Sequence, residues 1–263
     1  MQFLGNVANA LFLLASVYIY VALTRQIAAR DEDDDAATRA FGLPEAILAG
    51  ALILLFSFVA ATSSSTEAVN MQTRDIVANF VFEIGLLAFV AVFLQLRRFN
   101  IANLAGLTKI TFRRALITGF VLLLAAYPLI AVATLVTEHA LGPNASRQGI
   151  IDLFSGSGDF RQRVLIIVLA VALAPIAEEF FFRFFLYGVL RKHLGRTVAL
   201  LFTAALFAAV HAHIPSFAPL FVLAACFTIA YEWSGSLLVS MTMHSVFNGL
   251  TLAALAFPNA LQR

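Results

Sequence analysis

Cysteine is all but missing: Cys226 is the only one in 263 residues, so an internal disulfide is excluded. Set in an apolar run, it reads as a small buried hydrophobe. Charge is scarce too. Asp, Glu, Lys and Arg make up 12% of the chain and leave a net charge of +2, which gives no ground for a nucleic-acid partner. What fills the space is apolar: 61% of residues are hydrophobic, 26 are phenylalanine, and mean hydropathy is +0.91. A soluble domain could not hide that much apolar surface, so the chain reads as an all-α polytopic membrane protein with the lipid bilayer around it.

Windows of about 20 apolar residues, long enough to span a bilayer, fall at about 3–23, 43–62, 76–95, 115–136, 164–190, 197–213, 217–232 and 236–257. About eight transmembrane helices are therefore expected, the sixth and seventh short and joined by the turn His213-Ile214-Pro215-Ser216. Pro215 disfavours helix at Ile214 and places that boundary. The first stretch has no basic segment before it and no small-residue cleavage site after it, so it reads as a spanning helix rather than a removed signal peptide. Residues 1–160 carry about four of the helices with their loops, and residues 161–263 form a C-terminal helical core.

Loop charge sets the expected orientation. Arg25, Arg30 and Arg39 follow the first helix, Arg97, Arg98, Lys109, Arg113 and Arg114 the third, and Arg191, Lys192 and Arg196 the fifth. The other side holds Arg74, Arg147, Arg161, Arg163 and Arg263. The excess favours both termini outside the cytoplasm. The acidic run Asp31-Glu32-Asp33-Asp34-Asp35 reads as a solvated loop, and Asn144-Ala145-Ser146 fits a glycosylation sequon.

The polar residues inside apolar helices carry the functional signal. Ala177-Glu178-Glu179-Phe180-Phe181-Phe182-Arg183 places three charges within six residues, although each costs roughly 2.5–3.5 kcal/mol at mid-bilayer. At 100° per residue Arg183 lies about 40° from Glu179 and about 140° from Glu178. Glu179 and Arg183 are thus i,i+4 partners, acid first. Glu178 has no such partner and is left for the work of a general base. Pro175 lacks a backbone donor and is expected to free the carbonyl of Val171 in a kink.

Further on, His211 sits near the end of the sixth window, with His213 about 160° around the helix, so both face one site only if the helix breaks. His244 and Asn248 share one face of the last helix at i,i+4. As isolated residues these would serve as interhelical glue; on three neighbouring helices they point to a polar cavity in the C-terminal half. Glu232 and His213 read as interfacial. Glu45, at the start of the second helix, and Glu83, deep in the third, are weaker candidates, Glu83 as the partner of a group on another helix.

Amide hydrolysis needs a base for water and donors for the oxyanion. Glu178 fits the base, His211 a group that shares the water or protonates the leaving amine, and His244 with Asn248 the donors. No serine or cysteine stands in a nucleophile-like setting. Glu178, His211 and His244 would also make a two-histidine, one-carboxylate zinc set, but there is no HExxH helix, and metal-independent activation with no cofactor is the reading taken.

Glu178-Glu179-x-x-x-Arg183, Phe207-x-x-x-His211 and His244-x-x-x-Asn248 together resemble the three-motif signature of the CAAX-protease and bacteriocin-processing family of intramembrane endopeptidases, which includes the type II CAAX prenyl endopeptidase. The match covers about residues 171–250, in the family's order. The resemblance implies an eight-helix core with the site inside a membrane cavity. It implies Glu178 and His211 activating water, His244 and Asn248 stabilising the oxyanion, and Glu179 and Arg183 as supporting groups. It implies a membrane-associated protein or peptide substrate, with a prenylated C-terminal motif as one class, and a multi-pass location, a bacterial cytoplasmic membrane before the endoplasmic reticulum. The competing reading is a non-catalytic immunity, scaffold or transport protein that uses the same polar cluster to hold a partner or ion.

Overall fold

A computed structural model describes residues 2–30, 41–62, 73–142 and 160–257. The acidic run 31–35 and the sequon at Asn144 lie outside the described residues. Among those described, the secondary structure is helical and no strand occurs. Eight principal helices follow one another: α1 (Gln2–Ala28), α2 (Leu43–Thr62), α3 (Thr73–Leu96), α4 (Phe112–Leu141), α5 (Phe160–Leu194), α6 (Arg196–Val210), α7 (Phe217–Ser234) and α8 (Leu237–Ala256). A single-turn helix, Ile101–Leu104, precedes α4.

Seven of these are long and apolar enough to cross a membrane, and α6 is the exception. Its 15 residues reach roughly 22 Å at 1.5 Å per residue, short of the roughly 30 Å hydrocarbon core. Among the described residues, seven helices therefore qualify as spans where about eight were expected, and the all-α polytopic architecture holds.

The basic loops meet at one end of the bundle. Arg30 donates to the carbonyls of Glu232 (3.2 Å) and Trp233 (2.7 Å), covering acceptors that the end of α7 leaves open. Arg97 pairs with Glu45 at 2.9 Å, Lys192 donates to the Phe41 carbonyl, and Leu237 N–H donates to Ala105 O at 2.9 Å. Glu232 is held by Arg191 (3.1 Å), Arg196 (2.6 Å) and the Tyr187 hydroxyl. Glu45 and Glu232 therefore act as structural anchors for basic loop ends.

Between hydrocarbon-facing helices no hydrophobic effect drives association, so close packing and small residues do. α4 lies against α1, α7 and α8. At Gly119 a Cβ would come within 2.8 Å of the Val239 carbonyl and 2.7 Å of Thr242, so only glycine allows α4 and α8 to approach this closely. α5 is covered by α2, α6 and α8, and every residue from Phe180 to Leu186 is buried. Phe41 anchors this layer edge-on to Phe99, Phe184 and Phe185, with centroids 5.7 to 5.9 Å apart, contacts worth about 0.5–1.5 kcal/mol each beyond area burial.

Candidate active site

α5 is not a regular α-helix. Two π-helical stretches, Val168–Leu173 and Phe180–Leu186, flank the α-helical turn Ala174–Glu179 that carries both glutamates. In the first stretch N–H groups reach five residues back, as Ala174 does to Leu169 O. The next donor in that register would be residue 175, and its acceptor Ala170 O. Residue 175 is proline and has no N–H. Asn248 Nδ2 supplies the missing donor at 2.8 Å. The carbonyl freed by Pro175 and filled from another helix is thus that of Ala170 rather than the expected Val171, because the register is i to i−5 and not i to i−4.

The i,i+4 pair forms as its spacing requires. Arg183 Nη1 lies 2.9 Å from Glu179 Oε1, both side chains being essentially inaccessible. The guanidinium sits 4.4 Å from the Phe207 ring centre and 5.2 Å from that of Phe227, and it donates to Ala224 O at 3.4 Å. Cation–π contact in a dry setting adds to the ion pair. His244 Nδ1 completes the group, 3.0 Å from the same Glu179 oxygen. A carboxylate only accepts, so Nδ1 carries the proton, and the opposite nitrogen, Nε2, faces Glu178 Oε2 at 3.8 Å.

Glu178 differs from its neighbour. Its side chain keeps 22% of its exposure while Glu179 keeps none. Each carboxylate has a buried Oε2 without a hydrogen-bond partner, but only Glu179 also gives its other oxygen to Arg183 and His244. Adjacent glutamates on one turn are thereby split into a locked one and an available one, and the split follows from which helix face meets α8 and Arg183.

His211 caps α6. Its Nδ1 lies 2.8 Å from Phe207 O, one of the carbonyls a helix end leaves open. That carbonyl likewise fixes the proton on Nδ1 and leaves the Nε2 lone pair available. The helix breaks at this residue: Ala212 takes φ 49°, and His213 turns away with Nδ1 2.7 Å from Ser216 Oγ. The two histidines therefore lie on either side of a helix break, each with its own hydrogen-bond partner.

Glu179 contacts both Arg183 and His244, and His244 Nε2 stands 3.8 Å from Glu178. His211 joins them through Phe207, whose ring centre is 4.8 Å from the His211 ring and 5.8 Å from the His244 ring. Asn248 lies on the same face of α8 one turn from His244 and reaches α5 at Ala170. Among the described residues no three His, Cys, Asp or Glu side chains are gathered as a metal ion would need. Sequence reasoning did not single out Phe227 and Ala224, which hold Arg183; neither carries a polar signal of its own.

These features define the class first: a polytopic helical membrane protein with a charged, half-open site built on an irregular helix. Residues 160–250 match the profile described as type II CAAX prenyl endopeptidase Rce1-like. The matched segment starts with α5 and ends within α8, so it takes in all seven named residues of the three motifs, and the resemblance to the CAAX-protease family holds over this C-terminal core. No curated protein and no solved structure matches the chain.

Proposed function

We propose that the protein is an intramembrane endopeptidase that hydrolyses a peptide bond of a membrane-associated protein or peptide with water activated by Glu178. The observation that carries this reading is the inequality of the two glutamates. Glu179 is sealed and gives Oε1 to Arg183 and His244, whereas Glu178 keeps 22% of its side-chain exposure and, among the described residues, forms no ion pair with Lys or Arg. A structural ion pair has no use for the second carboxylate.

In this reading Glu178 takes a proton from water as the oxygen attacks the peptide carbonyl carbon. His211 Nε2 accepts from the same water and helps pass a proton to the nitrogen as the C–N bond breaks. Asn248 gives one amide hydrogen to Ala170 O and keeps the other for the oxyanion. His244 adds an Nε2–H when it is the imidazolium, whose charge Glu179 offsets on the Nδ1 side. Arg183 holds Glu179, and so orients His244.

The substrate class follows the family match: a membrane-anchored chain, with a prenylated C-terminal motif as the first to test. The experiment compares new protein termini across the membrane proteome in cells carrying wild type or Glu178→Gln at matched levels. Termini lost only in the variant establish the protease and name its substrate. Identical maps would end the enzymatic reading. In the metal-independent reading, cleavage survives dialysis against a chelator; activity restored only by added zinc would overturn that mechanism.

A further inference from the structure

α7 carries none of the three motifs, yet one of its side chains reaches the centre of the site. Phe227 is fully buried, and its ring touches both partners of Glu179 at once. The Arg183 guanidinium lies 5.2 Å from its ring centre, and the His244 ring lies 5.2 Å away at an interplanar angle of 34°. Ala224, three residues earlier on the same face of α7, accepts from Arg183 at 3.4 Å. Phe207 meets the same two groups differently. Arg183 stands 4.4 Å over its face, but His244 meets it at 74°, with centroids 5.8 Å apart. Phe227 is thus the ring nearer to parallel with the imidazole, the arrangement in which a π face can meet a cation.

The charges at His244 explain why such a face matters. Glu179 Oε1 already serves Arg183 at 2.9 Å when it takes the Nδ1–H of His244 at 3.0 Å. Once His244 is the imidazolium, two cations share that one oxygen. The other carboxylate at His244 is Glu178, 3.8 Å from Nε2, and in the protease reading it loses its charge as it takes a proton from water. What remains beside the imidazolium is the single charge of Glu179, shared with Arg183, and the negative face of an aromatic ring that no proton can titrate. A leucine at 227 would fill much of the same space without offering that face.

We propose that Phe227 is a positioning residue of this site: its ring fixes the His244 imidazole against Glu179 and stabilises the imidazolium that donates Nε2–H to the oxyanion. The proposal rests on the protease reading and deepens it, adding α7 to the helices that build the site.

The test replaces Phe227 alone, in the full chain in nanodiscs, by leucine and by a series of fluorinated phenylalanines. Each added fluorine withdraws charge from the ring face while the shape stays nearly constant. The probe is a farnesylated peptide ending in a Cys-a-a-X tetrapeptide. Phe227→Leu should lower kcat by about tenfold with KM unchanged, and kcat should fall stepwise along the fluorine series. A kcat that stays level across the series overturns the proposal, and so does a loss confined to KM or to the melting temperature. A second readout needs no substrate. With isotope-labelled histidine, the Nδ1–H proton of His244 should resonate far downfield because it is bonded to a carboxylate, and His244→Gln identifies the signal. Phe227→Leu should move that signal upfield or broaden it; an unchanged signal overturns the proposal. A wild type that cleaves neither this probe nor any chain in the comparison of termini, while the signal responds as stated, would instead remove the protease reading and leave Phe227 positioning His244 in a binding site.

Discussion

Asn248 donates the hydrogen bond that Pro175 cannot: its Nδ2 lies 2.8 Å from the Ala170 carbonyl, the acceptor that residue 175 would fill in a π register. The irregular stretch of α5 is thereby tied to the face of α8 that carries His244. Backbone irregularity at membrane depth persists only where something else satisfies it, and here the satisfying group belongs to the site itself.

Asn248→Ala should therefore destabilise the fold by about 1–3 kcal/mol by orphaning a buried carbonyl, quite apart from its loss of activity. Adding Pro175→Ala restores a backbone donor at the right place and should return much of that stability. Thermal unfolding of both single variants and the double variant in detergent measures the coupling. Additive losses would mean that Ala170 O is not what joins the two residues.

The two glutamates should separate cleanly. Glu179→Gln leaves Arg183 buried without its counter-charge and is expected to cost about 3–5 kcal/mol of stability. Glu178→Gln should leave the melting temperature near that of wild type while cleavage disappears. Equal destabilisation of both variants would mean that Glu178 is a structural group.

Glu232→Ala tests the far end of the bundle. Removing a carboxylate that holds Arg191, Arg196 and Tyr187 should lower stability by about 1–3 kcal/mol. The folded fraction should keep its kcat, since Glu232 is no part of the site. A loss of kcat at unchanged stability would place Glu232 in the chemistry.

Gly119→Val forces atoms into the Val239 backbone and should push α4 away from α8, at a cost of about 1–3 kcal/mol. Gly85→Ala, where nothing lies within 4 Å, serves as the matched control and should be neutral or slightly stabilising. Circular dichroism melts of the two proteins give the comparison.

Much of this molecule was legible before any coordinates. Apolar windows gave the helices because hydrocarbon tolerates only segments that satisfy their own backbone. The i,i+4 spacing fixed Glu179 to Arg183 and set His244 and Asn248 on one face, since helical geometry alone decides such pairs. Pro175 announced an irregularity because a missing N–H shows in the sequence. The resemblance of the motifs, not their spacing, linked the three segments to one another.

Other features needed the packed chain. Whether the carbonyl left open was that of Val171 or Ala170 depended on a π register that no local preference encodes. That His244 bridges toward both glutamates and that Phe207 lies between its ring and that of His211 are contacts between helices far apart in sequence. The pattern of a single helix specifies which side chains share a face. Which face meets which neighbour is settled by the fit of whole helices against one another.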